Sequence, residues 1–273
     1  MDILRRSGGL FAALVVCAAS AHAQAANADP HDFQGMWQGP PANHSFAAGF
    51  SGPPPKASGG AAVSASTYSF VGTNLPLKPA TLAKAAHDQE LILKGTAVMT
   101  WHVACRPSMP QALMSDDLGG FQVVQTPTRI LFLFDTDNTY WEVYLDRGQP
   151  PKVAPSYFGH AVGHWEGKQL VVDSIGYNGR ASLIVGALPS RSMHTITRIW
   201  KSEDGKKLEY QTWLDDPVNL IHSATLPTAF VSWSPDFRLY EEHCTQNPRE
   251  QNDADMIYED FTREDAFPYF YKK

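Results

Sequence analysis

His160, Val162 and His164 alternate along one short run, and Asp173 follows beyond a Glu166-Gly167-Lys168 turn. In an extended strand those three residues share one face, while Ala161, Gly163 and Trp165 take the other. This places His160 as a candidate general base, with Asp173 on the partner strand orienting and polarising its ring. Arg198 makes planar two-point contacts and suits an oxyanion or carboxylate. His194 and Tyr177 are further donors, so the candidate catalytic set is His160, Asp173, Arg198 and His194. The competing reading is structural, because a histidine beside an aspartate is frequently a satisfied core pair.

Other chemistries find less support. His160 and His164 lie about 13 Å apart at ~3.3 Å per residue, too far to hold one metal without ligands such as His194 or His102. No Gly-x-Ser-x-Gly elbow occurs; the nearest run, Gly49-Phe50-Ser51-Gly52, falls in a Gly/Pro-rich stretch. A phosphate-cradling glycine loop, a dinucleotide fingerprint, His-Glu-x-x-His and Cys-x-x-Cys are all missing. Neither a metal nor a cofactor is expected. The aromatic residues point instead to binding. Trp141, Tyr144, Trp200, Tyr210 and Trp213 alternate through apolar runs, so some face inward, and Trp141, Tyr144, His164, Tyr177 and Asn178 are the candidate ligand-binding residues.

The elements that must position these side chains are mostly strands. Asp32–Gln38 reads as a first strand with Trp37 as an inward anchor. Residues 39–79 are rich in Gly, Pro, Ala and Ser, including Gly52-Pro53-Pro54-Pro55, and read as a loop. Pro79–Lys94 is the one convincing helix, with Gly95 at its end. Short alternating runs follow at Phe121–Gln125, Arg129–Phe134 and Thr139–Leu145. Further runs at Gly159–Trp165, Gln169–Ser174 and His194–Lys201 continue the pattern. Lys207–Leu214, Ala229–Trp233 and Phe237–His243 complete it, with Glu203-Asp204-Gly205 and Ser234-Pro235-Asp236 as turns. This is an antiparallel meander, and closure into a barrel is favoured because it removes the sheet's edges. Residues 32–273 are therefore read as a single barrel domain after a short tail at 24–31, with Phe267-Pro268-Tyr269-Phe270-Tyr271 plugging one end or packing outside.

Residues 1–23 read as a cleaved export signal. Arg5 and Arg6 precede an apolar run from Leu10 to Ala19, and Ala21-His22-Ala23 offers a small-x-small cleavage site. The run is about 10 residues, short of the ~20 that span a bilayer, so no transmembrane anchor is expected. The compartment implied is periplasmic or secreted. Of 22 basic and 28 acidic side chains, the segment removes Arg5, Arg6 and Asp2, leaving 20 against 27, a net charge of −7. So acidic a surface does not attract phosphate backbones, and nucleic acid is excluded as a partner. Cys105 and Cys244 remain, and an even pair in an oxidising compartment reads as a disulfide. That bridge would enclose about 140 residues, for which chain entropy sets an upper figure near 5 kcal/mol.

Phe33-Gln34-Gly35-Met36-Trp37 resembles the Gly-x-Trp opening strand of lipocalin and calycin barrels, where the Trp packs across the barrel floor. A longer resemblance is to a family of uncharacterised secreted bacterial proteins. It rests on that opening, on Cys105-Arg106-Pro107 and on Phe121–Pro127. Its centre is Gly159-His160-Ala161-Val162-Gly163-His164-Trp165-Glu166-Gly167 continuing into Leu170-Val171-Val172-Asp173, followed by Gly176-Tyr177-Asn178. The chain departs from it at His164, where arginine is expected, and around Pro189–Ser192, where a histidine is expected. The resemblance implies fold and compartment, and no reaction. The function read from the sequence is an exported barrel that binds a small apolar or aromatic molecule in its interior. The alternative is a cofactor-independent lyase, isomerase or hydrolase using His160 and Asp173 in the same cavity.

Overall fold

The computed structural model describes residues 29–39, 75–93, 107–114, 119–181 and 189–240. The segment read as an export signal, Cys105, Cys244, His102 and the aromatic tail near residue 270 lie outside the described residues, as do residues 40–74 of the stretch expected to be a loop. The strands are β1 Gly35–Gln38, β2 Gly120–Gln125, β3 Arg129–Phe134, β4 Tyr140–Tyr144 and β5 His160–Glu166. They continue as β6 Gln169–Ile175, β7 His194–Lys201, β8 Lys207–Asp215, β9 Ala224–Thr225 and β10 Ala229–Trp233. Two helices, α1 Pro79–Leu93 and α2 Pro110–Met114, complete the described elements apart from a 3-10 turn at Thr136–Asn138.

Nine strands form a closed barrel in the order β10-β1-β2-β3-β4-β5-β6-β7-β8, and β8 returns to pair with β10. β9 hangs on the last residues of β8. Closure leaves no long unpaired edge, which is how β proteins avoid edge-to-edge association. The alternating runs put one face of each strand inward: Ile130, Phe132 and Phe134 on β3, Leu170, Val172 and Ser174 on β6, and Thr195, Thr197 and Ile199 on β7 are all buried.

Three features differ from the expected meander. β4 and β5 run parallel, with Val143 opposite Ala161 and Tyr144 opposite Val162. A tight turn cannot join parallel strands, so the chain from 145 to 159 recrosses the barrel before β5 begins. Second, Phe237–Tyr240 is irregular, since β1 and β8 already flank β10 and close the ring. Third, α2 and the two-residue β9 were not anticipated; neither is long enough to carry a periodic signal.

The two ends are built differently. At the lower end, where β5 turns into β6, the N-terminal segment closes the floor. Trp37 donates from its indole Nε1 to Phe33 O at 2.9 Å, and His31 sits edge-on to Trp165 with ring centroids 4.7 Å apart. Gln125 ties the segment down by donating to His31 O at 2.8 Å and accepting from Phe33 N at 3.2 Å. Gly35 passes beneath the Trp233 ring at φ +126°, where a side chain would both strain the backbone and collide with the indole. At the upper end, where β6 leaves the barrel and β7 enters it, Met109, Tyr177, Ala181 and Met193 form a second small core. The start of α1 is pinned there by Lys78 N to Asn219 O and Ile221 N to Pro76 O, both 2.8 Å.

Candidate functional site

The outer wall at β5–β7 carries the sequence-derived catalytic candidates. His160 faces Ile175 across the ladder and Asp173 faces Val162. The two therefore sit one pleat apart, and the Asp173 carboxylate turns to the other neighbouring strand. Its Oδ1 lies 3.3 Å from His194 Nε2, an ion-pair separation whose angle is not that of a hydrogen bond. Gln149, from the connection between β4 and β5, donates to Asp173 Oδ1 at 3.0 Å, to Asp173 O at 2.9 Å and to His160 O at 3.2 Å. His194 also stands edge-on to Trp213, with centroids 5.5 Å apart. The side chains of His194 and Asp173 are 36% and 37% exposed, so this pair lies on the surface and not in the core.

His160 is occupied differently. Its ring stacks on Tyr144 at 4.9 Å and an interplanar angle of 22°. The Arg147 guanidinium lies 4.5 Å from the centroid of the same tyrosine, whose hydroxyl donates to Glu142 Oε2 at 2.8 Å. That bond to Glu142, followed by burial, holds the Tyr144 phenol above its ordinary range. Burial, and then the positive charge of Arg147, push the His160 imidazole below its ordinary value of 6.5, with Glu142 opposing. As pH falls through about 6.5, the unfolded chain takes up a proton that the folded chain resists. The stabilisation is full above that pH and is lost as pH falls toward the folded value. Melting temperature should therefore drop between about pH 7 and pH 5, more steeply in the wild type than in His160→Gln. Parallel slopes for the two proteins would remove His160 as the source.

Arg198 and His164 do not join this group. Both converge on Glu166 lower on the wall: Arg198 Nη1 donates to Oε2 at 2.7 Å, and His164 Nε2 lies 3.0 Å from Oε1. The Arg198 bond and then His164 hold the Glu166 carboxyl below its ordinary range. Asn178 is a turn residue, accepting from Arg180 N at 2.9 Å. Among the described residues, no group of three or more His, Cys, Asp or Glu side chains is placed to hold a metal ion.

The inner wall of the upper half has a different character. Its ladder rows run Ser174–Thr195–Leu214 and Val172–Thr197–Thr212 across β6, β7 and β8. Thr197 Oγ1 and Thr212 Oγ1 are 3.0 Å apart, and Tyr177 OH meets Thr195 Oγ1 at 2.7 Å. Burial pushes the Tyr177 phenol up to about 12, so it is a neutral group at any physiological pH. The side chains of α2 are all buried, with Leu113 and Met114 joining the main core. Gln111 reaches the wall, donating from Nε2 to Thr197 Oγ1 at 3.0 Å, while Tyr210 OH donates to Gln111 O at 3.2 Å. α2 thus occupies the upper lumen, where β5–β8 supply mostly small side chains (Ala161, Ser174, Thr195, Thr197, Thr212) beside Val172, Tyr210 and Leu214.

Two polar groups on the inner faces of the described strands are not satisfied. Trp141 is 2% exposed and its indole Nε1 has no acceptor; Ser174 is 1% exposed and its Oγ makes no hydrogen bond. The nearby Ser174 hydroxyl favours ionisation of Tyr177, but the hydrogen bond of the Tyr177 hydroxyl goes to Thr195. A buried donor left unmade costs about 1–3 kcal/mol. Of the five residues expected to bind a ligand, Trp141 and Tyr177 thus face the interior, whereas Tyr144 and His164 face outward. Gln111 and the Thr195/Thr197/Thr212 set were missed. The signal for the threonines was present, since they fall on the inward positions of β7 and β8. Compared with protein-family models, curated proteins and solved structures, the chain matches none.

Proposed function

We propose that this chain is an exported barrel protein that binds a small apolar or aromatic molecule in the upper half of its lumen, in place of α2. The observation that carries the reading is the inner wall itself. In the upper half no described strand residue on the inner face is charged (Lys201 lies at the lower end), and the hydroxyl row there is covered by a five-residue helix whose polar ties run through Gln111. Pockets for small ligands are largely apolar with a few placed polar groups, and barrels of about eight strands are wide enough for one such ligand. Export is supported by the Arg5-Arg6 segment and its apolar run, and Cys105 with Cys244 suits a disulfide formed after export. The acid–base alternative draws less from the geometry. His160, Asp173 and His194 lie on the outer wall, and Arg198 is engaged by Glu166.

Protein recovered from a periplasmic fraction, expected to begin at Gln24 by intact mass, is the material for the test. Titration with the neutral fluorophore N-phenyl-naphthylamine should give saturable enhancement at one site per chain. Gln111→Ala removes the amide from Thr197 but leaves the Thr197–Thr212 bond, and should tighten the dye about three- to tenfold by weakening the hold of α2. Linear, unsaturable enhancement in both proteins would sink the reading.

A further inference from the structure

Resting on that lumen-binding reading, we infer that the ligand carries one neutral hydrogen-bond acceptor, such as a ketone, aldehyde or ether oxygen, and that Trp141 and Ser174 receive it. The indole N–H only donates, so whatever satisfies Trp141 must bring an acceptor. No protein group does so: Nε1 and Ser174 Oγ are the inner-wall polar atoms without a partner among the described residues. The neighbouring hydroxyls are committed within the wall even when α2 is displaced, Thr195 to Tyr177 and Thr197 to Thr212. They therefore do not compete for the ligand.

Register places the two donors on adjacent inward levels of the barrel, one pleat apart. Val143 on β4 faces Ala161 on β5, and Ala161 faces Ser174 on β6. Trp141 is the next inward residue of β4 toward the upper end, two strands and one pleat from Ser174, a span of about 12 Å that an indole and a ligand oxygen can bridge. Gly159 continues β5 at the level of Trp141; its absent side chain would meet Ile175 O at 2.5 Å and the Tyr177 ring at 3.5 Å. Backbone and tyrosine thus crowd this corner of the wall.

Charge sets the other limit. The cation on an inner strand face, Lys201, stands at the lower end of β7, so in the upper half a carboxylate would be stripped of water against two neutral donors, which disfavours its charged form strongly. A pure hydrocarbon would enter but leave the indole N–H unmade. The committed ligand class is therefore apolar or aromatic with a single uncharged oxygen.

The test uses three shape-matched probes: acetylnaphthalene, isopropylnaphthalene and naphthoate, each substituted at the same ring position and measured by calorimetry on the whole chain. The ketone should bind about tenfold tighter than the hydrocarbon, and the carboxylate weakest. Ser174→Ala, a mild change, and Trp141→Phe should each shrink the ratio of ketone to hydrocarbon affinity toward one. Equal binding of ketone and hydrocarbon by the wild type would overturn the acceptor assignment while leaving lumen binding in place. Tightest binding of naphthoate would overturn the neutrality of the site. A ketone preference that survives both substitutions would show that other residues receive the oxygen. If none of the probes binds to wild type or to Gln111→Ala, the lumen reading itself falls, and this inference with it.

Discussion

Trp37→Ala is expected to cost about 3–5 kcal/mol of folding stability, the range for truncating a fully buried aromatic side chain. Trp37 is 0% exposed and does three things at once. It packs edge-on to Trp233, with centroids 5.2 Å apart. It faces Trp233 across the β1–β10 ladder and Phe121 across the β1–β2 ladder. Its indole also holds Phe33 O, and with it the segment that floors the barrel. Removal leaves a cavity where the ring closes, and orphans the Phe33 carbonyl. Urea denaturation of wild type and variant gives the number, and Trp37→Phe separates the terms by restoring most of the volume without the N–H. A loss under 1 kcal/mol for the alanine variant would mean that β1 is not what closes the barrel.

Asp216→Ala should be nearly as damaging, by about 3–5 kcal/mol. The carboxylate is 0% exposed and sits at the upper end where β8 leaves the barrel. It accepts from Ser190 N at 2.7 Å, Val218 N at 3.1 Å, Asn219 N at 3.3 Å and Asn219 Nδ2 at 2.9 Å. Ser190 N and Val218 N lose their acceptor in the alanine variant, while Asn219 N keeps its bond to Asp216 O at 3.0 Å, and a buried donor left without a partner carries the full desolvation penalty. Asp216→Asn retains one acceptor oxygen and should lose about half as much. Because Ser190 leads into β7 and Asn219 bonds the start of α1, the loss also unties the rim around the lumen. Denaturation midpoints for the two variants are the check; equal, small losses would remove Asp216 as a tie. This residue was not among the sequence-derived candidates, although Asp216-Pro217 followed by Asn219 is an aspartate-led turn signature.

Strand positions were largely legible because alternation of apolar and polar residues is a local property. Arg129–Phe134, His194–Lys201 and Ala229–Trp233 fall where the pattern ends. Register within hairpins was legible as well. A two-residue turn at Gly167-Lys168 pairs Glu166 with Gln169, which obliges Val162 to face Asp173 and Ile175 to face His160. The same alternation implied that His160 and Asp173 share a face opposite to Ala161, Leu170 and Val172. Those three are apolar and buried, so the histidine face is the outer one. The sequence reading placed that face in a cavity because it weighed the chemistry of the polar residues above the apolar set behind them.

What the residue order determined by itself is which segments extend, where they turn, and which side chains share a face. Tertiary structure alone decided that β5 lies parallel to β4, that β8 meets β10, that α2 sits inside the ring, and that Asp173 turns to His194. The physical reason is that periodicity records a side chain's face but not its strand's neighbour or direction. Those depend on contacts between residues such as Gln111 and Thr197, 86 positions apart, which form only once the ring has closed.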